Sequence, residues 1–301
     1  MRKLHKITMG LAGVWMCTAA PLKARQDMSD VEIRTIPVAE GIYMLVGQGG
    51  NIGLSVGENG PFVVDDQYAP LTEKIQAAIA EVSDGDVRFV LNTHWHFDHT
   101  GGNENFGEAG AFIVAHENVR RRMSVDQFME AFDRAVPAAP PIALPIITFT
   151  EGVTFRWNGE TIRVVHVENA HTDGDAIVMF ENANVVHMGD TYFNGRYPFI
   201  DVQSGGGIEG VISAADWVLQ RADSQTKIIP GHGALSGPQE LRAYRDMLIT
   251  VRDRIRMMIN DGMSVDEVIA SKPTSDLDAT WGADPDSFVR YAYQAMSSER
   301  E

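Results

Sequence analysis

The chain has 301 residues, of which 44% are hydrophobic, so it is long enough to bury the core of one large domain or two small ones. Its formal net charge of −16 at pH 7 argues against a nucleic-acid partner, because binding to phosphates requires an excess of positive charge. These values exclude a disordered tail and favour a globular protein with a well-solvated surface.

The chain begins with a segment that is typical of a secretory signal peptide. Three basic residues among the first six precede an apolar run over residues 7–20, which is too short to span a bilayer comfortably. We expect cleavage after Ala19, because cleavage one residue later would place Pro21 at the first mature position; a buried or fraying helix is the alternative. This interpretation predicts a periplasmic or secreted protein that starts near residue 20. It would have no stable membrane association after cleavage and would lack Cys17, the only cysteine.

Short β-rich runs bounded by turn formers follow and predict consecutive strands. They are GIYMLVG (41–47), NIGLSVG (51–57) and PFVVDD (61–66). Apolar spacing over residues 71–82 predicts a helix, and VRFVLN (87–92) predicts a buried strand.

A second set of strands is predicted further along the chain, in AFIVAH (111–116), VTFRWNG (153–159), TIRVVHVE (161–168), AIVMFENANVVHMGD (176–190) and TKIIPGHG (226–233). Helices are predicted near 208–221 and from Pro238 onwards, and the proline-rich stretch 135–145 is predicted to be an irregular loop. Two sets of strands with helices between them indicate an α/β fold in which sheets pack between helices.

The sequence NTHWHFDHTGG, residues 92–102, places several metal-binding side chains at the end of a predicted buried strand, where ligands bind in such folds. Four ligands within six residues are too many for one closed tetrahedral site while other histidines remain unassigned. His94 and His96 can converge on one ion, and Asp98 and His99 on a second ion nearby. The two glycines that follow allow the tight turn that this arrangement requires. The four residues are His94, His96, Asp98 and His99.

HWHFDH resembles the HxHxDH signature of the metallo-β-lactamase superfamily, and further blocks follow in the family order. These are VVDD before the signature, HTDGD at 171–175, HMGDTYF at 187–193 and PGHG at 230–233. The resemblance implies a four-layer αβ/βα sandwich with a binuclear zinc site at the edge of its two sheets. It indicates an exported branch with a bridging aspartate, in which residues 20–301 form one domain with a helical C-terminal segment from about residue 238.

The resemblance implies seven metal ligands and two Zn²⁺ ions per chain, although iron or manganese could occupy a set of imidazoles and carboxylates. Asp98 would have a second, catalytic role, because a carboxylate beside the metals can orient the attacking water. The first zinc would be held by His94, His96 and His171, the second by Asp98, His99 and His232, and Asp190 would bridge them.

The resemblance also suggests residues that contact the substrate. Tyr192 is a candidate hydrogen-bond donor to a developing oxyanion, the alternative being a buried aromatic residue. Asn194 lies where β-lactamases of the family have a lysine that pairs with the substrate carboxylate, and Arg196 could replace that lysine. Residues 123–149 form either an apolar wall over the metals or an ordinary capping segment.

Other polar residues have structural alternatives. Asp65 and Asp66 either form hydrogen bonds to ligand histidines or end a strand at a turn. His187 points away from Asp190 in an alternating strand, so we interpret it as a packed strand histidine. His116 and His166 are interpreted in the same way, as strand-end residues without a metal.

The predicted reaction is hydrolysis of an acyl bond, because two zinc ions lower the pKa of a shared water toward about 7 and polarise a carbonyl. Export favours a β-lactam as the small-molecule substrate. Asp190 suggests that this activity is weak or promiscuous, since family lactonases and thioesterases share the bridging aspartate. A lactonase or glyoxalase II-like thioesterase is therefore the alternative. A periplasmic metal-binding protein or a mononuclear iron oxidative enzyme represents another class, and the oligomeric state is left open.

Overall fold

The computed structural model describes residues 28–282 and 284–298. The chain divides into two units, residues 1–30 and 31–301. Only residues 28–30 of the first unit are described, so the predicted signal peptide lies outside the described residues. Within the described ranges, no helix is both long enough and apolar enough to cross a membrane.

The second unit contains a seven-stranded sheet in the order β1-β2-β3-β4-β5-β6-β9. Neighbours are antiparallel from β1 to β4 and parallel from β4 to β9. A two-stranded antiparallel hairpin, β7 and β8, lies between β6 and β9 in the chain. The strands are β1 (Arg34–Ala39), β2 (Ile42–Val46), β3 (Ile52–Ser55), β4 (Phe62–Val64), β5 (Phe89–Leu91), β6 (Phe112–His116), β7 (Gln127–Met129), β8 (Arg134–Val136) and β9 (Ile147–Phe149).

A five-stranded sheet follows, with its strands in chain order. Its neighbours are antiparallel except for the last pair, which is parallel. The strands are β10 (Gly152–Trp157), β11 (Glu160–His166), β12 (Ala176–Phe180), β13 (Val185–His187) and β14 (Lys227–Ile229). The predicted strand region 176–190 therefore divides into two strands, joined by a turn in which Asn184 has a positive φ of 56°.

The helices are α1 (Thr72–Ala80), α2 (Phe97–Thr100), α3 (Asn103–Glu108), α4 (Glu117–Met123), α5 (Ile208–Leu219), α6 (Pro238–Asn260), α7 (Val265–Ala270), α8 (Asp278–Trp281) and α9 (Pro285–Ser298). The start of α6 agrees with the predicted helical segment. Proline suits the first helical position, where its missing N–H is not needed, and the carboxylate of Glu240 accepts a hydrogen bond from the Gly237 N–H.

Alternation along the strands places apolar residues on both faces of each sheet. Phe62 and Val64 of the first sheet pack against Val178 and Phe180 of the second, and all four are buried. The opposite face of the second sheet packs on α5, α6 and α9, while α3 and α4 contact β6 of the first. The predicted four-layer αβ/βα sandwich is confirmed.

Candidate metal centre

The side chains of the candidate metal centre lie in loops at one edge of the two sheets. The loop after β5 carries His94 and His96, and α2 directly after it carries Asp98 and His99. The loop between β11 and β12 carries His171, and Asp190 and His232 follow the parallel strands β13 and β14. Because the ends of neighbouring parallel strands meet at one sheet edge, the fold brings together residues that are distant in the chain.

Seven side chains converge there in two groups, and within each group the candidate ligand atoms lie within 4.8 Å of one another. The Asp190 carboxylate belongs to the first group but reaches both: its Oδ2 is 3.6 Å from His171 Nε2, and its Oδ1 is 3.1 Å from His99 Nε2. The structure therefore brings together every residue expected to bind metal. The groups are His94, His96, His171 and Asp190, and Asp98, His99 and His232.

Two histidines of the first group are oriented by acceptors outside the centre. His171 donates from Nδ1 to the carbonyl oxygen of Phe199 at 2.9 Å. His96 Nε2 lies 3.0 Å from Asp201 Oδ2. Burial alone would raise the pKa of Asp201, but the hydrogen bond and charge of His96 lower it to about 2, so this carboxylate accepts. Each ring thereby directs its other nitrogen into the centre, and those two nitrogens are 2.9 Å apart.

Asp65 orients a residue of the second group. Its Oδ2 lies 2.8 Å from His99 Nδ1, and it also accepts a hydrogen bond from the Thr93 hydroxyl. Thr93 Oγ1 is in turn 3.0 Å from His94 Nδ1. The expected contact with a ligand histidine is therefore made by Asp65, whereas Asp66 accepts a hydrogen bond from the Gly102 N–H.

The donor set fits divalent metal ions. His94 Nε2 is buried and has no hydrogen-bond partner among the described residues, which is costly unless another group satisfies it. Burial lowers the pKa of His94 well below its usual value and that of His171 to about 4. Both rings are therefore neutral, the form in which imidazole binds metals. Imidazoles and carboxylates without a thiolate suit zinc, iron or manganese.

The two carboxylates of the centre are ionised, as metal binding requires. Burial alone would raise the pKa of Asp98, but the charge of His99 and the hydrogen bond from His232 lower it to about 2. The same two histidines hold the pKa of Asp190 well below its usual value against the effect of burial.

Two glycines permit the close approach of the loops. A Cβ on Gly231 would lie 2.1 Å from Asp190 Oδ1, and one on Gly50 would lie 2.1 Å from Cε1 of His99. The Asn51 N–H donates to the Gly231 carbonyl at 2.7 Å and so joins a loop of the first sheet to one of the second. A larger residue at either glycine would displace a side chain of the centre.

Sequence reasoning missed the groups that hold the His171 loop. Asp175 accepts hydrogen bonds from the His171 and Thr172 N–H groups, and burial raises its pKa to about 7. Arg122 on α4 makes two hydrogen bonds to Asp173. The motif HTDGD contained a signal for Asp175, because aspartate commonly accepts from nearby backbone N–H groups in turns. Asp201 had no comparable signal.

A cavity of about 470 Å³, called here the metal cavity, opens beside the centre. Residues 123–149 contribute Met129, Phe132 and Arg134 to its lining, so this segment supplies a wall, as one of the two hypotheses expected. The wall is not purely apolar, because Arg134 is one of its residues. The Arg134 guanidinium lies 3.7 Å from the ring centroid of Phe97. The lining also includes Tyr68, His96, Asp98, Asp190, Phe193, Arg196, Phe199 and His232.

The structure corrects two expectations about substrate contacts. Tyr192 is fully buried in the core, where its ring centroid lies 5.1 Å from that of Tyr244 on α6, so it does not line the metal cavity. The side chain of Asn194 donates to the carbonyl of Ala234 and also lies outside this lining. Of the three proposed substrate contacts, only Arg196 lines the cavity. Tyr192 therefore corresponds to the buried-aromatic alternative.

The three remaining histidines named in the sequence analysis occupy structural positions outside the two ligand groups. His187 is buried, and its Nε2 lies 3.0 Å from the carbonyl oxygen of Asn51. The rings of His116 and His166 stack with centroids 3.8 Å apart. Their positions agree with the interpretation of packed histidines at strands.

Comparisons with known proteins place these features in context. The model of the metallo-β-lactamase superfamily matches residues 47–232. The chain is 29% identical over 166 residues to hydroxyacylglutathione hydrolase of Polaromonas sp. (strain JS666), a match that covers 54% of this chain and 55% of the relative. It is 25% identical over 170 residues to the lactamase-like protein aptB of Emericella nidulans, covering 56% of this chain and 46% of that protein. The chain thus spans about half the length of these curated relatives.

Solved structures share the fold. A metallo-β-lactamase from Pontibacter korlensis superposes with a TM-score of 0.59 at 17% identity, covering 72% of this chain and 99% of that one. The stereoselective inverting sec-alkylsulfatase Pisa1 from Pseudomonas sp. has a TM-score of 0.64 at 17% identity, covering 87% of this chain and 50% of that one. At such low identity these likenesses show the fold alone.

Proposed function

Because the chain belongs to the metallo-β-lactamase superfamily, whose members are metallo-hydrolases, we propose that it hydrolyses an acyl bond of a small molecule with two zinc ions. The observation that carries this proposal is the convergence of seven ligand side chains beside a cavity, with ligand rings already oriented by acceptors outside the centre. A site that only stored metal would not require an adjoining cavity or a carboxylate that reaches the histidines of both groups.

The proposed roles follow from the positions of the side chains. Bound metal ions would activate water and polarise the scissile carbonyl. Asp98 lines the metal cavity and its side chain is 18% exposed, so its ionised carboxylate can accept a hydrogen bond from the attacking water and orient it. Asp201 and Asp65 contact ligand histidines and therefore act as positioning residues.

The two arginines of the cavity favour a substrate with a carboxylate. Arg134 and Arg196 both line the metal cavity, and guanidinium groups pair with carboxylates through two parallel hydrogen bonds. We propose a β-lactam as the first substrate class, since its amide lies in a small ring next to a carboxylate. The Arg196 position supports the carboxylate anchor suggested by the sequence.

A glutathione thioester is the second candidate class. Two observations favour it: the contacts of Asp190 with histidines of both groups, and the 29% identity to a hydroxyacylglutathione hydrolase. A thioester of this kind also carries carboxylates that the arginines of the metal cavity could bind.

The N-terminal segment supports the proposal that the protein is exported. Mass spectrometry of protein from the native host should find a mature chain that begins near Ala20. Detection of an intact chain that retains Met1 would contradict export while leaving the proposed chemistry unaffected.

A substrate panel assayed with and without a chelator tests the proposed reaction. The panel contains nitrocefin, benzylpenicillin, a carbapenem, an acyl-homoserine lactone and S-lactoylglutathione. We expect chelator-sensitive opening of at least one β-lactam. Hydrolysis of the thioester or lactone alone would replace the first substrate class by the alternative. Turnover of no member would contradict acyl hydrolysis.

A further inference from the structure

We propose that a second cavity, here called the aromatic annex, binds an aryl group of the substrate whose acyl bond is hydrolysed at the metal centre. This inference rests on the proposed function and adds a specificity site to it. The annex has a volume of about 320 Å³ and lies against α9. Its aromatic lining includes Phe193, Tyr197, Phe199, Trp281, Phe288 and Tyr291.

The annex adjoins the metal cavity. Four residues line both cavities, so the two spaces share part of their walls. Phe132 is 54% exposed and Arg196 is also exposed, so neither is fixed by burial on all sides. A substrate held at the metals could therefore extend into the annex. The four shared residues are Phe132, Phe193, Arg196 and Phe199.

The chemistry of the annex favours an aromatic ring. Aromatic side chains pair with other rings at centroid distances of about 4.5–7 Å, and such pairs already occur in the lining. Phe199 packs edge-on against Tyr291 at 5.1 Å and against Phe132 at 5.2 Å. The volume is ample for a phenyl group, since a cavity of roughly 150 Å³ holds benzene.

The position of Arg196 connects the annex to the proposed carboxylate site. Its guanidinium carbon lies 5.5 Å from the ring centroid of Phe193, at the junction of the two cavities. If the substrate carboxylate binds Arg196 and its acyl bond lies at the metals, the annex remains open to a third, uncharged part of the substrate. This continuity with the metal cavity is why we assign the annex to the substrate rather than to another molecule.

Matched substrate pairs test the inference. Benzylpenicillin carries a phenylacetyl group where 6-acetamidopenicillanic acid carries an acetyl group, and a phenylacetyl thioester of glutathione can likewise be compared with its acetyl counterpart. We expect kcat/KM to be roughly 30-fold higher for the aryl member of the pair that the enzyme hydrolyses, as burial of a ring against a mostly aromatic lining implies.

A variant that fills the annex provides the second arm. Ser287 on α9 lines the annex and is half-buried, so Ser287→Leu should reduce the aryl preference to about threefold or less. The non-aryl member should be hydrolysed at the wild-type rate, because Ser287 does not line the metal cavity. Ser297→Leu, at a half-buried serine on the same helix, is the matched control and should retain the preference.

The outcomes separate this inference from the proposed function. Equal kcat/KM within each hydrolysed pair, or an aryl preference that Ser287→Leu leaves intact, would overturn the annex while acyl hydrolysis stands. Absence of chelator-sensitive turnover of these four compounds and of every member of the substrate panel would instead refute the proposed function. If Ser287→Leu does not fold, the substrate pairs with the wild-type protein still decide the question.

Discussion

At the scale of single residues, the metal centre depends on groups that fix the histidine rings before a metal binds. His96, His99 and His171 each make a hydrogen bond outside the centre. Such contacts set the tautomer and the ring direction and commonly change metal affinity by 10- to 100-fold (order of magnitude). These hydrogen bonds therefore order the ligand side chains before a metal ion binds.

We expect Asp201→Ala to weaken zinc binding by about 10- to 100-fold, because it removes the acceptor that orients His96. Asp201→Asn retains an acceptor oxygen and should lose less. The measurement is zinc affinity of the apoprotein, determined by competition with a chromophoric chelator. Asp253→Ala, at a surface carboxylate on α6, is the control. An unchanged affinity in Asp201→Ala would show that the contact is not needed for metal binding.

Tyr192→Phe should leave kcat/KM within about twofold of wild type. The tyrosine lies in the core against Tyr244 and outside the lining of the metal cavity, so its hydroxyl cannot stabilise an oxyanion there. Loss of an oxyanion donor costs about 10²- to 10³-fold in rate, so steady-state kinetics distinguish the two roles clearly. A loss of that size with an unchanged melting temperature would restore the sequence-based role.

The sequence predicted those site residues that lie within local motifs. His94, His96, Asp98 and His99 occupy one short stretch, so their residue types and spacing were sufficient. Asp201 is 105 residues from the histidine it contacts, and only the packing of the two sheets brings them together. Tyr192 was misplaced because its backbone neighbours approach the metal centre while its side chain points into the core.

At the scale of elements, His187 connects the two sheets. It lies at the end of β13, and its Nε2 donates to the carbonyl of Asn51, next to β3. Its Nδ1 accepts from the Gly189 N–H, so the neutral ring satisfies both neighbours. Burial lowers the pKa of His187 accordingly.

This arrangement predicts a loss of stability in acid. Below the usual histidine pKa of about 6.5 the unfolded chain binds a proton that the folded His187 does not, so the free energy of unfolding falls as pH falls. Other buried histidines also contribute to the loss of stability in acid. The test therefore compares how steeply the free energy of unfolding declines with pH in the variant and in wild type. His187→Leu should be less stable than wild type at pH 7.5 but show a shallower decline between pH 7.5 and 5.5 in urea titrations. Equal slopes would contradict this role.

The hairpin of β7 and β8 should govern substrate affinity through Arg134. We expect Arg134→Gln to raise KM about fivefold for a substrate with a carboxylate and to leave KM of a neutral ester unchanged. Arg163→Gln on β11 is the control, because that arginine lies on the surface, where it pairs with Glu181, and does not line the metal cavity. Equal effects on both substrates would mean that Arg134 acts by shaping the wall rather than by its charge.

Edge elements were harder to predict than central ones. The central strands β4 and β5 were predicted because they are short apolar runs, buried throughout in β4 and at Val90 and Leu91 in β5. β1 was not predicted, since it is a half-exposed edge strand that contains Pro37, which has no backbone N–H to donate. The hairpin was also missed, because each of its strands has only three residues, too few to show an alternating pattern.

At the scale of the whole molecule, the loops at one edge of the two sheets supply the metal ligands, and both sheets contribute. Each sheet alone provides an incomplete set, since His94 and His99 follow β5 while Asp190 and His232 follow β13 and β14. The shared core between the sheets therefore fixes the distances within the metal centre. The architecture was predictable through family resemblance, whereas the aromatic annex required the placement of α9.

A zinc titration of the metal-free protein, with hydrolysis of the best substrate measured at each addition, tests whether two metal ions are needed for catalysis. We expect activity to be absent without metal, to rise with zinc and to saturate at two equivalents per chain, as the two groups of ligands require. Activity that persists without metal, or that is complete at one equivalent, would contradict a binuclear hydrolase.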